Sequence, residues 1–273
     1  MMKRGVILAL AAGLCLSAGC TRYEEVSVTA GVKETEETKV IQITEPETEP
    51  ETEGDRELLR IEKDGKIPSY LTGEMTDLAI AWRRPVAIMI SNDKAALPHY
   101  GINHAGVIYE APVEGGMNRF MAVIEDYDNL ERIGSVRSCR TYYTFFAREF
   151  EAVYAHFGQS VFTRPYLEKM EHLNGIEGKG SVAFYRTKDK KAPHNAYASG
   201  ERIQKAIEAM GYSQEYPESY TGHYRFSKKE YPVMLENGFS AAFVRPGYVM
   251  NDPWFEYNAD DGLYYRFQYG GPH

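Results

Sequence analysis

The sequence predicts an α/β fold in which helices pack on a mixed central sheet, followed by a smaller β-rich α+β domain. The first observation is the segment 84–91, whose continuous apolar character is typical of a central strand buried on both faces. The second is that segments with helical apolar spacing, at 137–151 and 200–210, alternate with such strands. The third is the change beyond Gly211, where tyrosine, proline and glycine recur and predict short strands joined by turns.

The elements of the first domain follow from apolar periodicity and from the turn residues between periodic segments. Strands are predicted at 84–91, 105–109, 118–124, 152–157 and 182–185. Helices are predicted at 137–151, 164–173 and 200–210. Ser138 is the expected N-cap of the first helix. The apolar stripe of that helix is expected to contain Tyr142, Phe145, Phe146 and Phe150. In the second domain, the aromatic segments 254–257 and 263–269 flank a turn and predict a hairpin.

The N-terminal residues predict where the protein resides. Residues 1–4 form a short cationic start, and an apolar run too short to span a bilayer leads to small residues and Cys20. This order resembles a bacterial lipoprotein signal, which implies that residues 1–19 are removed and that Cys20 carries acyl chains such as palmitate. Two or three chains hold a protein stably, so we expect it on the extracytoplasmic face of the cell membrane. An ordinary secretory signal cut nearby is the alternative.

Residues 20–64 are predicted to be a disordered acidic tether, because this segment is rich in glutamate, threonine and proline and nearly free of aromatic residues. A tether of this length spans on the order of 40 Å. It accounts for the net charge of −8, because the residues after Asp64 are nearly neutral. A nearly neutral folded part excludes a typical nucleic-acid-binding domain. Residues 65–211 are the predicted α/β domain, and residues 212–273 the predicted smaller domain.

Several motifs between residue 84 and about residue 160 resemble the YerB-like lipoprotein family, whose domain has no established activity. The motifs lie at 85–92, 109–110, 113–116, 119–123, 134–140, 154–158 and, further on, 192–195. The resemblance implies an α/β first domain followed by a smaller second domain. Chains of this family usually continue past a glycine-proline-histidine segment like 271–273, so we expect the second domain to be truncated here.

Arginines at the predicted start of the aromatic helix suggest an anion site. Arg137 and Arg140 flank Ser138 in a region where the helix dipole normally favours acidic side chains. A phosphate or carboxylate group bound among them would explain this arrangement, and Arg119 is expected to join them. Internal ion pairs with the protein's own acids are the alternative, and the sequence leaves both explanations open. These acids are Glu110, Glu114 and Asp126.

Further residues are expected to line a pocket beside the arginines. They are Asn92, Glu110, Glu114, Gly115, Gly116, His156 and His194. The two glycines would let backbone N–H groups approach a ligand closely. No histidine pair has helical metal-ligand spacing, so neither a metal nor a cofactor is predicted.

Cys139 raises a separate hypothesis of nucleophilic catalysis. A thiol at a helix N-terminus between two arginines is expected to have a lowered pKa, with His156 or His194 as its base. The alternative is a small buried side chain that packs the start of the helix. The family resemblance favours this alternative, because other small residues commonly occupy the position.

The function predicted first is that of a lipid-anchored envelope protein without enzymatic activity. Arg119, Arg137 and Arg140 would bind an anionic cell-wall or lipid-phosphate ligand, or another envelope protein. The alternative is an enzyme that acts on an anionic cell-wall or polyprenyl-phosphate precursor. The arginines with Glu110, Glu114 or Asn92 would then position the phosphate and a base or metal, and the sequence assigns no catalytic residue. Carboxylates free to reach a ligand among the arginines would favour the enzyme.

Overall fold

A computed structural model describes residues 56–233 and 237–273. The predicted signal peptide, Cys20 and most of the predicted tether lie outside the described residues. The description begins within the segment predicted as tether, where the backbone N–H of Leu58 donates to the carbonyl of Phe226. All described residues belong to one unit, Glu49–His273. The domain boundary between residues 211 and 212 stays a prediction.

The described part of the chain contains fourteen strands and four α-helices. The strands are β1 (Lys66–Pro68), β2 (Met75–Asp77), β3 (Val86–Ser91), β4 (Val107–Pro112), β5 (Asn118–Ile124), β6 (Ile133–Gly134), β7 (Val153–His156), β8 (His172–Asn174), β9 (Phe184–Arg186), β10 (Ala196–Ala198), β11 (Phe243–Val244), β12 (Trp254–Asn258), β13 (Leu263–Gln268) and β14 (Gly271–Pro272). The helices are α1 (Leu78–Ala81), α2 (Thr141–Glu149), α3 (Arg164–Leu167) and α4 (Gly200–Met210). None of these helices has the length and apolar content needed to cross a bilayer.

The centre of the fold is a five-stranded mixed sheet in the order β4-β5-β3-β7-β8. Strands β4, β5 and β3 pair antiparallel, whereas β3, β7 and β8 pair parallel. Every residue of β3 and β5 is buried, as continuous apolar strands require. The predicted α/β class with a mixed central sheet is therefore confirmed.

Helices cover both faces of the central sheet. Alternate residues of a strand point to opposite faces, and β3 shows this alternation. Ile88 lies in the core cluster that includes Ile203 of α4. Met89 lies in the opposite cluster, which includes Tyr143 of α2. The sheet is therefore the middle layer of three.

The C-terminal residues form an antiparallel sheet in the order β11-β12-β13-β14, and β12 with β13 is the predicted hairpin. Arg266 of β13 pairs with Glu110 of β4 at 3.0 Å, and their side chains are 14% and 12% exposed. Asn118 and Asn251 donate to the same carboxylate at 3.0 and 2.9 Å. A buried polar cluster thus joins the C-terminal sheet to β4 and β5.

The strand predicted at 105–109 is observed as Val107–Pro112, and three other predicted elements differ more from their bounds in the structure. The helix predicted at 137–151 begins at Thr141, because the preceding residues are extended and hydrogen-bonded to neighbouring strands. The helix predicted at 164–173 ends at Leu167, because residues 172–174 form β8 beside β7. The strand predicted at 182–185 begins only at Phe184, after a 3-10 turn. Pairing with distant strands overrides local periodicity in these places.

The apolar stripe predicted for the aromatic helix is also shifted. The residues of α2 that are buried are Tyr143, Thr144 and Ala147. Phe145 was expected in the stripe, but its side chain points outward and the residue is 48% exposed. The prediction was wrong here because the aromatic residues surround more of the helix than the sheet covers.

Candidate functional site

Arg137 and Arg140 lie on an extended segment between two strands of the central sheet, whereas Arg119 lies on β5. The backbone N–H of Arg137 donates to Met89 of β3, and its carbonyl accepts from the N–H of Phe157 just after β7. The N–H of Cys139 donates to the carbonyl of Gly158. These bonds hold the segment in an extended conformation up to the first residue of α2.

This geometry corrects the predicted role of Ser138. The N-cap of α2 is Arg140, and no side chain accepts a hydrogen bond at that cap. The hydroxyl of Ser138 donates instead to the carbonyl of Phe157 at 3.1 Å. Arg137 lies outside the helix altogether. The helix dipole is therefore no reason to expect an anion beside Arg137, and any such site must be argued from the side chains.

Arg140 has a partner within the protein. Its guanidinium makes two hydrogen bonds of 2.6 Å to the two carboxylate oxygens of Glu114. These bonds lower the pKa of Glu114 to about 2, against a smaller opposing effect of burial. Gly115 and Gly116 follow Glu114 with φ of 75° and 73°, in the left-handed region that favours glycine. The glycine turn thus lets the chain reverse directly after the carboxylate that holds Arg140.

Arg119 is buried between the other two arginines. The residue is 8% exposed, and its guanidinium donates to the carbonyl of Ser138. Burial, together with the nearby charges of Arg140 and Arg137, lowers the pKa of Arg119 to about 10. The structure therefore brings the three predicted arginines close enough for their charges to interact.

Arg137 is half-buried, and within residues 56–233 and 237–273 its guanidinium has no hydrogen bond or ion pair. Burial lowers the pKa of Arg137. The positive charges of Arg140 and Arg186 lower it as well, whereas the nearby carboxylate of Asp93 raises it. His194 belongs to the same neighbourhood: burial lowers its pKa, Asp93 raises it, and Arg137 lowers it. Arg137 therefore links the arginines to the loop that carries His194.

Other residues predicted to line the pocket have different surroundings. The carboxylate of Glu110 binds Arg266, and the side-chain amide of Asn92 donates to it at 3.3 Å. His156 is completely buried, and its Nε2 lies 3.0 Å from Nδ1 of His172. Burial lowers the pKa of His156 to about 3. Contacts with other parts of the fold therefore engage these three residues, although the side-chain oxygen of Asn92 is buried without a hydrogen-bond partner.

The structure contradicts the expectation of a reactive thiol. Cys139 is completely buried, and burial raises the pKa of its thiol to about 12, an effect larger than that of the two nearby arginines. In the described residues we find no group of three or more histidine, cysteine, aspartate or glutamate side chains arranged to hold a metal ion.

Two residues beside the arginines were missed in the sequence. Asp93 follows the buried strand β3, and the end of a central strand is a common location for a site in α/β proteins. The position of Asp93 directly after a buried strand could therefore have identified it in the sequence. Arg186 at the end of β9 gave no local signal, because only tertiary folding brings β9 near Arg137. Arg119, Arg137 and Arg140 line none of five cavities that we find in the described part of the chain.

Comparison with known proteins assigns the chain to a family. Residues 71–213 match the family described as "Protein of unknown function (DUF3048) N-terminal domain". The chain is 36% identical over 149 residues to "Putative lipoprotein YerB" of Bacillus subtilis (strain 168), a match that covers 54% of this chain and 44% of that protein. The crystal structure of YerB protein from Bacillus subtilis matches with a TM-score of 0.60 at 28% identity, over 75% of this chain and 67% of the other. The chain spans less than half the length of the curated relative, and it belongs to the DUF3048 family.

Proposed function

We propose that this chain is a lipid-anchored protein of the extracytoplasmic face that binds a phosphate-type anion through Arg137, with Arg119 and Arg140 beside it. The anchor is inferred from the lipoprotein-like N-terminus and from the name of the relative. The anion is inferred from the charges around Arg137. The ligand class comprises phosphate groups of cell-wall polymers or of lipid-linked precursors.

The observation that carries the proposal is the half-buried Arg137 guanidinium, which has no partner in the described chain. Four guanidinium groups interact there with two carboxylates, so positive charge is in excess. The guanidinium groups are those of Arg119, Arg137, Arg140 and Arg186. The carboxylates are those of Glu114 and Asp93. A partly desolvated cation cluster with this imbalance favours a bound anion, because charge-assisted hydrogen bonds are strong in such surroundings.

The same neighbourhood gives less support to an enzyme. Glu114 is held by two bonds to Arg140, and Asp93 accepts the N–H of Ala95 as the cap of a 3-10 turn. Neither carboxylate is placed as a free general base toward Arg137. Turnover of an anionic cell-wall or polyprenyl-phosphate precursor remains the alternative that the experiment below also tests.

The experiment measures binding of inorganic phosphate and pyrophosphate by calorimetry to the wild type and to Arg137→Gln. We expect the substitution to weaken binding at least about tenfold, as loss of a hydrogen bond to a charged group does. Lys179→Gln is the control, because Lys179 is an exposed cation that also has no side-chain partner in the described residues. Equal affinities for wild type and Arg137→Gln would refute the proposal. Release of phosphate from a polyprenyl pyrophosphate would favour the enzyme instead.

A further inference from the structure

A group of exposed apolar side chains lies next to the N-terminus of α2. Val161 and Phe162 are 76% and 79% exposed, and Phe145 and Tyr166 are 48% and 40% exposed. The rings of Phe145 and Tyr166 are in contact, with centroids 5.4 Å apart. We call these four residues the apolar patch. Single exposed apolar residues are ordinary, but a contiguous group of this kind marks a surface that binds something.

The turn that presents the apolar patch is held firmly by the core. Thr163 is completely buried and its hydroxyl lies 2.8 Å from that of Ser160, while Leu167 is 3% exposed in the core cluster below α2. Thr163 and Leu167 are four residues apart and share the inner face of a helical turn. Phe162 and Tyr166 share the outer face by the same spacing. Their exposure is therefore fixed by the fold.

Cationic side chains border the apolar patch. Arg148 lies three residues after Phe145 on α2, and Lys169 lies three residues after Tyr166, so each shares a helical face with a member of the patch. Arg164 lies within the turn itself. These three cations are exposed, and in the part of the chain that the structure describes they have no side-chain partner. Glu168 is the acidic residue within the turn. Arg148 and Lys169 also line a cavity with Glu151, Glu171 and Glu215, but no ion pair joins them to these acids in the described residues.

The size and charge of this surface fit a membrane better than a second protein. Four partly exposed side chains offer on the order of 400 Å². A stable protein interface buries roughly 800 Å² on each partner. An amphipathic surface of this size that combines aromatic residues with cations is typical of segments that lie at the boundary of an anionic bilayer.

We propose that the apolar patch rests on an anionic membrane surface, with Val161 and Phe162 inserted below the lipid headgroups. Arg148, Arg164 and Lys169 then pair with lipid phosphates at the rim. The predicted tether is long enough to let the folded part reach the membrane that holds the anchor. The contact is separate from Arg137 and does not depend on the anion site proposed above. It sets the orientation of the folded part relative to the membrane.

The test uses the chain from residue 20 onward with Cys20→Ser, so that neither the predicted signal peptide nor acyl chains contribute to binding. Its partitioning is measured on vesicles of phosphatidylcholine with and without phosphatidylglycerol. We expect binding only with phosphatidylglycerol, and a loss of about tenfold or more in the double variant Val161→Ser/Phe162→Ser. The matched control is Phe239→Ser/Val249→Ser, because these residues are of the same types and are 99% and 82% exposed.

Insertion is measured separately, by quenching of tryptophan fluorescence with brominated lipids. Phe162→Trp is expected to be quenched in vesicles that contain phosphatidylglycerol, whereas Phe239→Trp is not. Equal loss of binding in the two double variants would overturn the proposal, as would equal quenching at the two positions. Absence of binding to phosphatidylglycerol vesicles would also overturn it and would assign the apolar patch to a protein partner.

Discussion

Replacing Glu110 with glutamine is expected to lower the free energy of unfolding by about 3–5 kcal/mol. The substitution keeps the size of the side chain but removes the charge that neutralises Arg266. Both side chains are nearly buried, at 12% and 14% exposure, so water replaces little of the lost interaction. The two remaining donors, Asn118 and Asn251, still find an amide oxygen. The expected loss of unfolding free energy is therefore the cost of leaving the buried cation of Arg266 without a counter-charge.

The assay is thermal unfolding followed by circular dichroism. One kcal/mol shifts the midpoint of a domain of this size by about 2–4 °C, so Glu110→Gln should lower the midpoint by at least about 6 °C. The control is Glu201→Gln, which breaks an exposed pair with Lys205 and should leave the midpoint almost unchanged. The double variant Glu110→Gln/Arg266→Met should lose less than the sum of the single losses, because it leaves no unpaired charge.

Two results would contradict the prediction that the Glu110–Arg266 pair stabilises the contact between the C-terminal sheet and β4. One is a midpoint for Glu110→Gln that equals that of Glu201→Gln. The other is strict additivity of Glu110→Gln and Arg266→Met, which would mean that the two side chains do not stabilise each other. Hydrogen exchange in β12 and β13 provides an independent measurement. If the contact between the C-terminal sheet and β4 is weakened, the backbone amides of the C-terminal sheet should exchange faster than those of the central sheet.

Two further predictions follow from buried titratable groups. Cys139 should not react with a thiol reagent at mildly alkaline pH in the folded protein, because its pKa is raised to about 12 and the side chain is completely buried. It should react fully in concentrated guanidinium chloride. Fast labelling of the folded protein would revive the thiol hypothesis. His156 has a pKa lowered from 6.5 to about 3, so below pH 6.5 the unfolded chain binds a proton that the folded protein excludes. Its contribution to stability should therefore fall as the pH drops from about 6.5 toward about 3, by about 1.4 kcal/mol per unit at most. Unfolding free energies measured across this range should show a flatter profile for His156→Gln, and an unchanged profile would contradict the assignment.

The central strands were predictable because a continuous run of apolar residues indicates a strand that is buried on both faces. The segment 118–124 has the predicted bounds, and the predicted strand at 84–91 is observed as Val86–Ser91. The helix at 200–210 also has the predicted bounds, because its apolar spacing and the glycine that follows it are both local signals. Where the predictions were wrong, at the start of α2 and at β8, hydrogen bonds to distant strands replaced those of a helix.

The site was predictable in part. The sequence singled out Arg119, Arg137 and Arg140, and the structure brings their charges together. The physical reason given for them was wrong, because Arg137 precedes the helix and the dipole does not act on it. The pairing of Arg140 with Glu114 was one of the two explanations left open.

The sequence by itself determined the class of the fold and its central strands, because these depend on the apolar or polar character of neighbouring residues. It also gave the lipoprotein-like N-terminus, which needs no folding to be read. Only the tertiary structure decided which carboxylate each arginine binds, since Glu110 and Glu114 are chemically alike but lie on β4 and in the turn that follows it. The tertiary structure also decided the reactivity of Cys139, because burial raises the pKa of its thiol to about 12. It leaves Arg137 half-buried without a partner in the described chain.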